Sequence, residues 1–402
     1  MSSAPTPDVD VVIVGGGAAG LWLLHELVHR QYNALLVESD ALGSGQTTAA
    51  QGIIHGGFKY SLKGVLTPSA RRVSDMPDFW RSCLDGRTLP DLSSVRRRAD
   101  YCHVWTTGAL SSTIGMMGAS LGLSVKPVRL AAPHVPDWIS GSRSAVYRLD
   151  EPVIDPASLI KTLAGLHPNR ILRVDATGGI RFSAASPGQI ESVTLINSTA
   201  DRSQTLRPGT TVFTAGLGNA DLRRQVGLPV ALMQRRAVQV IVARGELPVV
   251  NGHCIDGAAV RVTITSDRDE DHVIWQIGGK LSEQGASMKP ADLIEFAKQE
   301  LRAVLPGIDL NRVGWMTYRV DKAEAATKGR ARPDDATLFS EGNVLTAWPT
   351  KLALVPRLVD MICARLAPPS ERSPEVSSLD DWPRPAVARP PWKETDSWYT
   401  DS

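Results

Sequence analysis

A run of apolar residues long enough to cross a bilayer, about 20 in a row, is missing from this 402-residue chain. The nearest approach, LALVPRLVDMICARL, is broken by Arg357, Asp360 and Arg365. No membrane span is expected, and peripheral contact at the inner membrane face stays open. Cysteine is scarce. Cys83, Cys102, Cys254 and Cys363 lie far apart with no CxxC spacing. That pattern argues against a disulfide or zinc framework, predicts no metal site, and suits the reduced thiols of a cytoplasmic protein. A charge excess is missing too. The formal net charge is +2, so no nucleic-acid partner is expected, and Arg71-Arg72, Arg96-Arg97-Arg98 and Arg235-Arg236 read as solvated faces. The opening MSSAPTPDVD has neither a basic start nor an apolar core. It reads as a disordered lead-in over residues 1–8, not as a signal peptide.

What is present fits a globular protein. The chain is 43% hydrophobic and 21% charged, and it is too long for one simple core. The β-branched run Val11-Val12-Ile13-Val14 precedes three glycines and an apolar stripe at Leu21, Leu24, Leu27 and Val28. This is a buried strand, a tight turn and an amphipathic helix. Gly15, Gly17 and Gly20 form G-x-G-x-x-G: the first allows the turn, the second admits a pyrophosphate, the third lets helix and strand pack closely. Ala18 and Ala19 open the helix, whose N–H groups and positive dipole end attract phosphate. A second strand over residues 33–37 ends in Glu38, followed by Ser39. An acid at this spacing accepts hydrogen bonds from ribose hydroxyls and repels a 2′-phosphate. The pattern reads as dinucleotide binding, against the plainer alternative of a glycine turn in an ordinary α/β unit. It does not separate NAD from FAD.

Beyond Glu38 the chain enters a long polar loop, SDALGSGQTTAAQGIIHGGFKY, instead of a further strand. Ser44, Gln46, Thr47 and Thr48 offer hydroxyl and amide groups, and Gly43, Gly45 and Gly52 let backbone come close. Such a loop suits a ligand that runs past its ADP half. On these two motifs the sequence resembles the D-amino-acid oxidase-like superfamily of FAD-dependent oxidoreductases. It is nearest the branch of FAD-linked glycerol-3-phosphate dehydrogenases and L-2-hydroxyglutarate oxidases, in which a Ser/Thr-rich loop leads into an IHGG-aromatic sequence along the flavin. Here Ile54-His55-Gly56-Gly57-Phe58, with Tyr60, has that form. The resemblance implies that Gly52, Ile53 and Ile54 lie against the isoalloxazine and that His55 stands near the reacting carbon. His55 then takes the substrate proton, hydrogen-bonds the flavin, bonds to it covalently, or only braces the loop. A direct role is favoured because histidine is the usual base near neutral pH.

The remaining segments are read more coarsely. Residues 66–84 and 109–121 read as helices and 101–105 as a strand. Residues 151–166 enter a helix that Asp155 caps and Pro156 opens. The resemblance puts the backbone of Val174 near adenine, and Ala215 and Gly216 at a strand end near the flavin's linker. Residues 228–277 alternate as antiparallel strands, 290–305 form a helix, and 315–320 return toward the flavin. In the family an Arg on that returning strand clamps an acidic substrate; Arg319 matches, with Lys322 the next cation, against the plainer alternative that Arg319 pairs with a nearby acid. A strand over 342–346 and a helix over 350–366 close the nucleotide domain. The resemblance implies that Pro349, Thr350, Lys351 and Leu352 face the flavin N1–O2 edge, where a positive helix end and Lys351 would stabilise negative charge. Ala347-Trp348-Pro349 is bulkier here than the glycines the family favours. The proline-rich tail over 367–402 holds Trp382, Trp392 and Trp398, and is expected to lie on the folded body because exposed tryptophans are costly.

The expected fold class is α/β, a Rossmann-like FAD-binding domain (residues 9–80, 150–227 and 328–366) with an inserted antiparallel-β, α+β substrate domain (81–149 and 228–327). The expected reaction is dehydrogenation of a small polar, anionic substrate, a 2-hydroxy acid or polyol phosphate, by hydride transfer to flavin N5. His55 is the base and Arg319 the anchor. An oxidase acting on an amine or amino acid, an NAD-dependent dehydrogenase and a non-catalytic FAD-binding protein are the alternatives. The electron acceptor is left open among oxygen, a quinone and a carrier protein.

Overall fold

The computed structural model describes residues 8–58, 67–106, 126–139, 145–257, 259–370, 379–395 and 397–400. The lead-in through residue 7, Tyr60 and the helix expected over 109–121 lie outside them. Among the described residues no helix is long and apolar enough to cross a membrane.

Two large sheets organise the chain. The first has six strands in the order Thr337–Glu341, Val344–Trp348, Pro208–Phe213, Val9–Val14, Ala34–Glu38, Ile171–Arg173. All neighbours are parallel except the antiparallel edge pair Thr337–Glu341 and Val344–Trp348. A parallel sheet must be covered on both faces, which explains why Val9–Val14 is apolar at every position but Asp10. Side chains alternate: Val11 and Ile13 pack with Leu21, Leu24, Leu159, Leu358 and Ile362 of three helices. Val12 and Val14 point the other way, to a small antiparallel sheet through Ile190, Val193 and Leu195.

The second sheet has eight strands in the order Gly314–Ala325, Met233–Gly245, His272–Gly278, Ala259–Asp269, Gly252–Asp256, Cys102–Thr106, Val146–Leu149, Val128–Arg129. Its neighbours are antiparallel except Gly252–Asp256 with Cys102–Thr106. One face buries Trp105, Ile241, Trp275 and Trp315 against Leu293, Ala297 and Leu301 of the helix Pro290–Val304. The other face looks at the nucleotide half. There Ala49 packs on Val238, Val240 and Val320, and the Tyr318 hydroxyl donates to the Ala49 carbonyl at 2.9 Å. The ligand loop after Glu38 is therefore held between the two sheets.

Several expectations shift. Residues 66–84 are not one helix: Pro68–Val73 ends before Met76–Leu84 begins, and Pro77 sits in the first turn of the second, where it is tolerated. That second helix straddles residue 80, and Cys83, Leu84, Leu92 and Val95 pack in the nucleotide-side cluster with Trp22 and Trp80. The closing helix starts later than residue 350. Leu352–Leu354 is a 3-10 turn and Val355–Cys363 the α-helix. Thr350 precedes it with φ +63°, and its hydroxyl donates to the Asp335 carbonyl. Residues 315–320 belong to a longer strand that runs through Lys322. The tail's described parts lie on the body, with Trp382 and Trp392 buried. Val387 bridges Leu42 and Tyr399 bridges Trp315, so the tail touches both halves.

Candidate active site

The nucleotide cradle is local in origin. Gly15 has φ +114°, and a Cβ on it would stand 2.6 Å from Ala215. A Cβ on Gly20 would stand 2.0 Å from the Gly15 carbonyl oxygen. The turn therefore closes only with glycine at both places. Gly17 caps the helix Ala18–His29 without a side-chain bond, and Thr47 Oγ1 lies 3.4 Å from the Ala18 nitrogen. Glu38 is fixed at the strand end: its carboxylate accepts from the N–H groups of Gly16 at 2.7 Å, Ser39 at 2.8 Å and Asp40 at 2.9 Å. The Val174 N–H donates to the Glu38 carbonyl at 3.0 Å. Gly216 has φ +58° and faces Gln46, whose Nε2 would be 3.2 Å from an added Cβ. Thr48 is buried and donates to the Gly43 carbonyl; Ser44 lies in the exposed turn beside it. This cradle of glycine, helix N-terminus and acid fits the ADP half of FAD.

The glycine–histidine loop is shaped by distant backbone. Ile53 bridges Val153 in antiparallel sense, the Ile54 N–H donates to the Pro152 carbonyl at 2.9 Å, and the Ile154 N–H to the Gly52 carbonyl at 3.0 Å. Gly52 has φ +79°, and a Cβ there would stand 2.0 Å from the Ile154 carbonyl oxygen. Antiparallel register then sets residue 55 opposite residue 151. His55 Nδ1 lies 3.0 Å from Glu151 Oε2, and the Gly56 N–H donates to Glu151 Oε1 at 2.6 Å. His253, on Gly252–Asp256, adds a third group: its Nε2 is 4.0 Å from Glu151 Oε2 and its ring centre 5.6 Å from that of His55. Glu151 and His253 are both fully buried. Among the described residues these three are the cluster whose donor atoms, within 4.8 Å of one another, could also hold a metal ion.

The inner face of the eight-stranded sheet carries polar groups toward this loop. Gln51 donates to the carbonyls of Thr263 and Gln276. Arg98 donates to Gln276 Oε1, and Gln276 donates to the Tyr318 hydroxyl at 2.8 Å. Arg96 and Arg98 grip Asp155 and Asp267 across the two halves. Burial alone would raise the Asp267 carboxyl, but Arg96 and Arg98 override it and hold it below the usual range. Trp392 of the tail lies 5.8 Å from the Arg98 guanidinium and closes this network from outside.

The structure separates the two cations of the returning strand. Tyr318 and Val320 face the loop, so alternation sends Lys322 the same way and Arg319 the opposite way. Arg319 is exposed and pairs with Asp321 at 3.1 Å; it stands outside the site that the sequence had assigned to it. Lys322 is half-buried, and its pKa is pushed down to about 8 by burial and by Arg332 and Arg236. Lys351 is buried too, donates to Ser69 Oγ at 2.6 Å and to the Asp334 carbonyl at 3.0 Å, and is likewise pushed down to about 8 by burial and by Arg332. Pro349, Thr350 and Leu352 flank it, with the Lys351 N–H turning back to the Pro349 carbonyl. The bulky Trp348 is accommodated by turning away: it packs on Ala323 and Ala325, and its indole donates to the Gly216 carbonyl. Sequence reasoning missed Glu151, His253, Arg98 and Tyr318. No local motif marks them; the pairing of Ile53 with Val153 and the sheet register bring them in.

A glycine cradle joined to a polar second sheet over a histidine loop defines a flavin-type dinucleotide oxidoreductase. The family profile for FAD dependent oxidoreductases, DAO, matches residues 10–341. The chain is 36% identical over 390 residues, 96% of this chain and 97% of the other, to a probable FAD-dependent oxidoreductase of Pseudomonas aeruginosa. The crystal structure of a Pseudomonas aeruginosa FAD dependent oxidoreductase superposes with a TM-score of 0.79 at 32% identity over 97% of this chain and 99% of that one. Glycine oxidase from Geobacillus kaustophilus shares the fold, with a TM-score of 0.61 at 15% identity over 96% and 99% of the two chains. A shorter match, 35% identical over 66 residues, covers 16% of this chain and 9% of mitochondrial glycerol-3-phosphate dehydrogenase of Mus musculus. The chain belongs to the DAO family of FAD-dependent oxidoreductases.

Proposed function

We propose that this enzyme dehydrogenates a small anionic molecule bearing a hydroxyl on the reacting carbon, of the 2-hydroxy acid or polyol phosphate kind. The observation that carries this reading is His55 held by a buried carboxylate on the glycine loop, an arrangement suited to removing a hydroxyl proton. The local likeness to a glycerol-3-phosphate dehydrogenase supports the same choice. FAD, when bound, supplies the two-electron acceptor. Gly15, Gly17 and Gly20 would hold its phosphates, Glu38 its ribose, and residues 46–54 its remainder. His55 takes the substrate proton. Lys322 takes over the anchoring role expected of Arg319, since it is the cation of that strand on the inner face. Residues 9–95, 150–227 and 328–366 form the nucleotide part, and 96–149 with 228–327 the substrate part.

A visible spectrum of the purified protein, before and after acid precipitation, comes first; a yellow pellet would mark a covalent flavin. Anaerobic flavin bleaching is then followed with glycerol 3-phosphate, L-2-hydroxyglutarate, glycine and proline. Bleaching by a hydroxy compound supports the reading, and bleaching by the amino acids alone overturns it.

A further inference from the structure

We propose that Glu151 is the positioning residue that fixes the tautomer of His55. An ionised carboxylate can only accept hydrogen bonds. Glu151 Oε1 takes the Gly56 N–H and Oε2 faces His55 Nδ1. The proton of the neutral ring therefore sits on Nδ1, and the lone pair is on Nε2. Both donors come from adjacent residues of one loop, so the carboxylate plane and the loop orient each other.

A fully buried carboxylate is costly unless its oxygens are paired. Here each oxygen meets a donor of the histidine loop. His253 completes the enclosure from the second sheet, with Nδ1 at 2.9 Å from Thr263 Oγ1 and Nε2 toward the same Glu151 oxygen. Glu151 thus couples the loop of the nucleotide half to the inner face of the substrate half. The purpose given to Nε2 rests on the reading of His55 as the base; the tautomer itself does not.

The test uses FAD-loaded protein carrying 15N-labelled histidine, with H55N identifying the His55 resonances. The expected result is a protonated Nδ1 and an unprotonated Nε2 in the wild type. In E151Q the amide oxygen goes to the Gly56 N–H, the amide nitrogen faces Nδ1, and the proton moves to Nε2, reversing the two nitrogen shifts. E151D keeps two acceptor oxygens and retains the wild-type tautomer. A wild-type ring protonated on Nε2 overturns the proposal, as does an unchanged signature in E151Q that keeps its flavin spectrum. Resonances that move on EDTA treatment, with a stoichiometric metal released, would also overturn it by showing Nδ1 bound to an ion. Should E151Q fail to fold, the wild type and E151D still decide. Failure of the base role would show separately, as H55N that keeps its turnover.

Discussion

The glycine turn after Val14 and the histidine loop after Gln51 are both built on glycine, yet they are assembled in opposite ways. At the turn, much of what matters is near in sequence: Gly20 packs on the Gly15 carbonyl, and Glu38 returns to the Gly16 N–H. At the histidine loop the partners come from residues 151 to 154 and from strand Gly252–Asp256. The comparison teaches that the glycine turn is encoded by a short motif, while the surroundings of His55 are encoded by register between segments far apart in the chain.

The turn should be the harder of the two to disturb without losing the protein's cofactor. G20V puts side-chain carbon where the Gly15 carbonyl oxygen already stands, so the purified variant should be free of flavin and melt at a lower temperature. Bound flavin at wild-type stoichiometry would show the turn to be more forgiving than its geometry implies.

The loop should separate chemistry from folding. H55N should lower kcat by about 100- to 10,000-fold, the range for a positioned base, with its flavin spectrum and melting temperature close to wild type. A variant that loses flavin in parallel would instead make His55 a brace of the loop.

The two cations of one strand sharpen the comparison further. K322M should raise KM for an anionic substrate by about tenfold, equivalent to ~1.4 kcal/mol, and leave kcat nearly unchanged. Lys322 is charged below its pKa of about 8 and neutral above it. Affinity for the anion should therefore be full at lower pH and fall as pH rises through about 8, and K322M should flatten that profile. R319A should do least. Its guanidinium is exposed, so KM should not move and stability should change by no more than about 0.5 kcal/mol. A tenfold KM effect in R319A would return the anchor to that position.

The legibility of these regions follows from how far apart their parts lie. The sequence by itself determined the strand–turn–helix over Val9–His29, the acid at Glu38 and the expectation that a tryptophan-rich tail lies on the body. Each depends on local periodicity, on glycine conformations or on the cost of exposing indole rings. FAD rather than NAD followed only from the family resemblance of the histidine loop. Only the tertiary structure decided which cation of the returning strand faces the site, because the alternation of a strand says that Arg319 and Lys322 differ but not which face is inward. The contact of Tyr318 with Ala49 settles that sense. Only the fold brought Glu151 and His253 to His55, since no spacing rule links residues joined by the antiparallel pairing of Ile53 with Val153. The closing loop shows the same division. The bulk of Trp348 was legible as a departure, but its packing against Ala323 and Ala325 required a neighbouring strand that the local sequence does not contain.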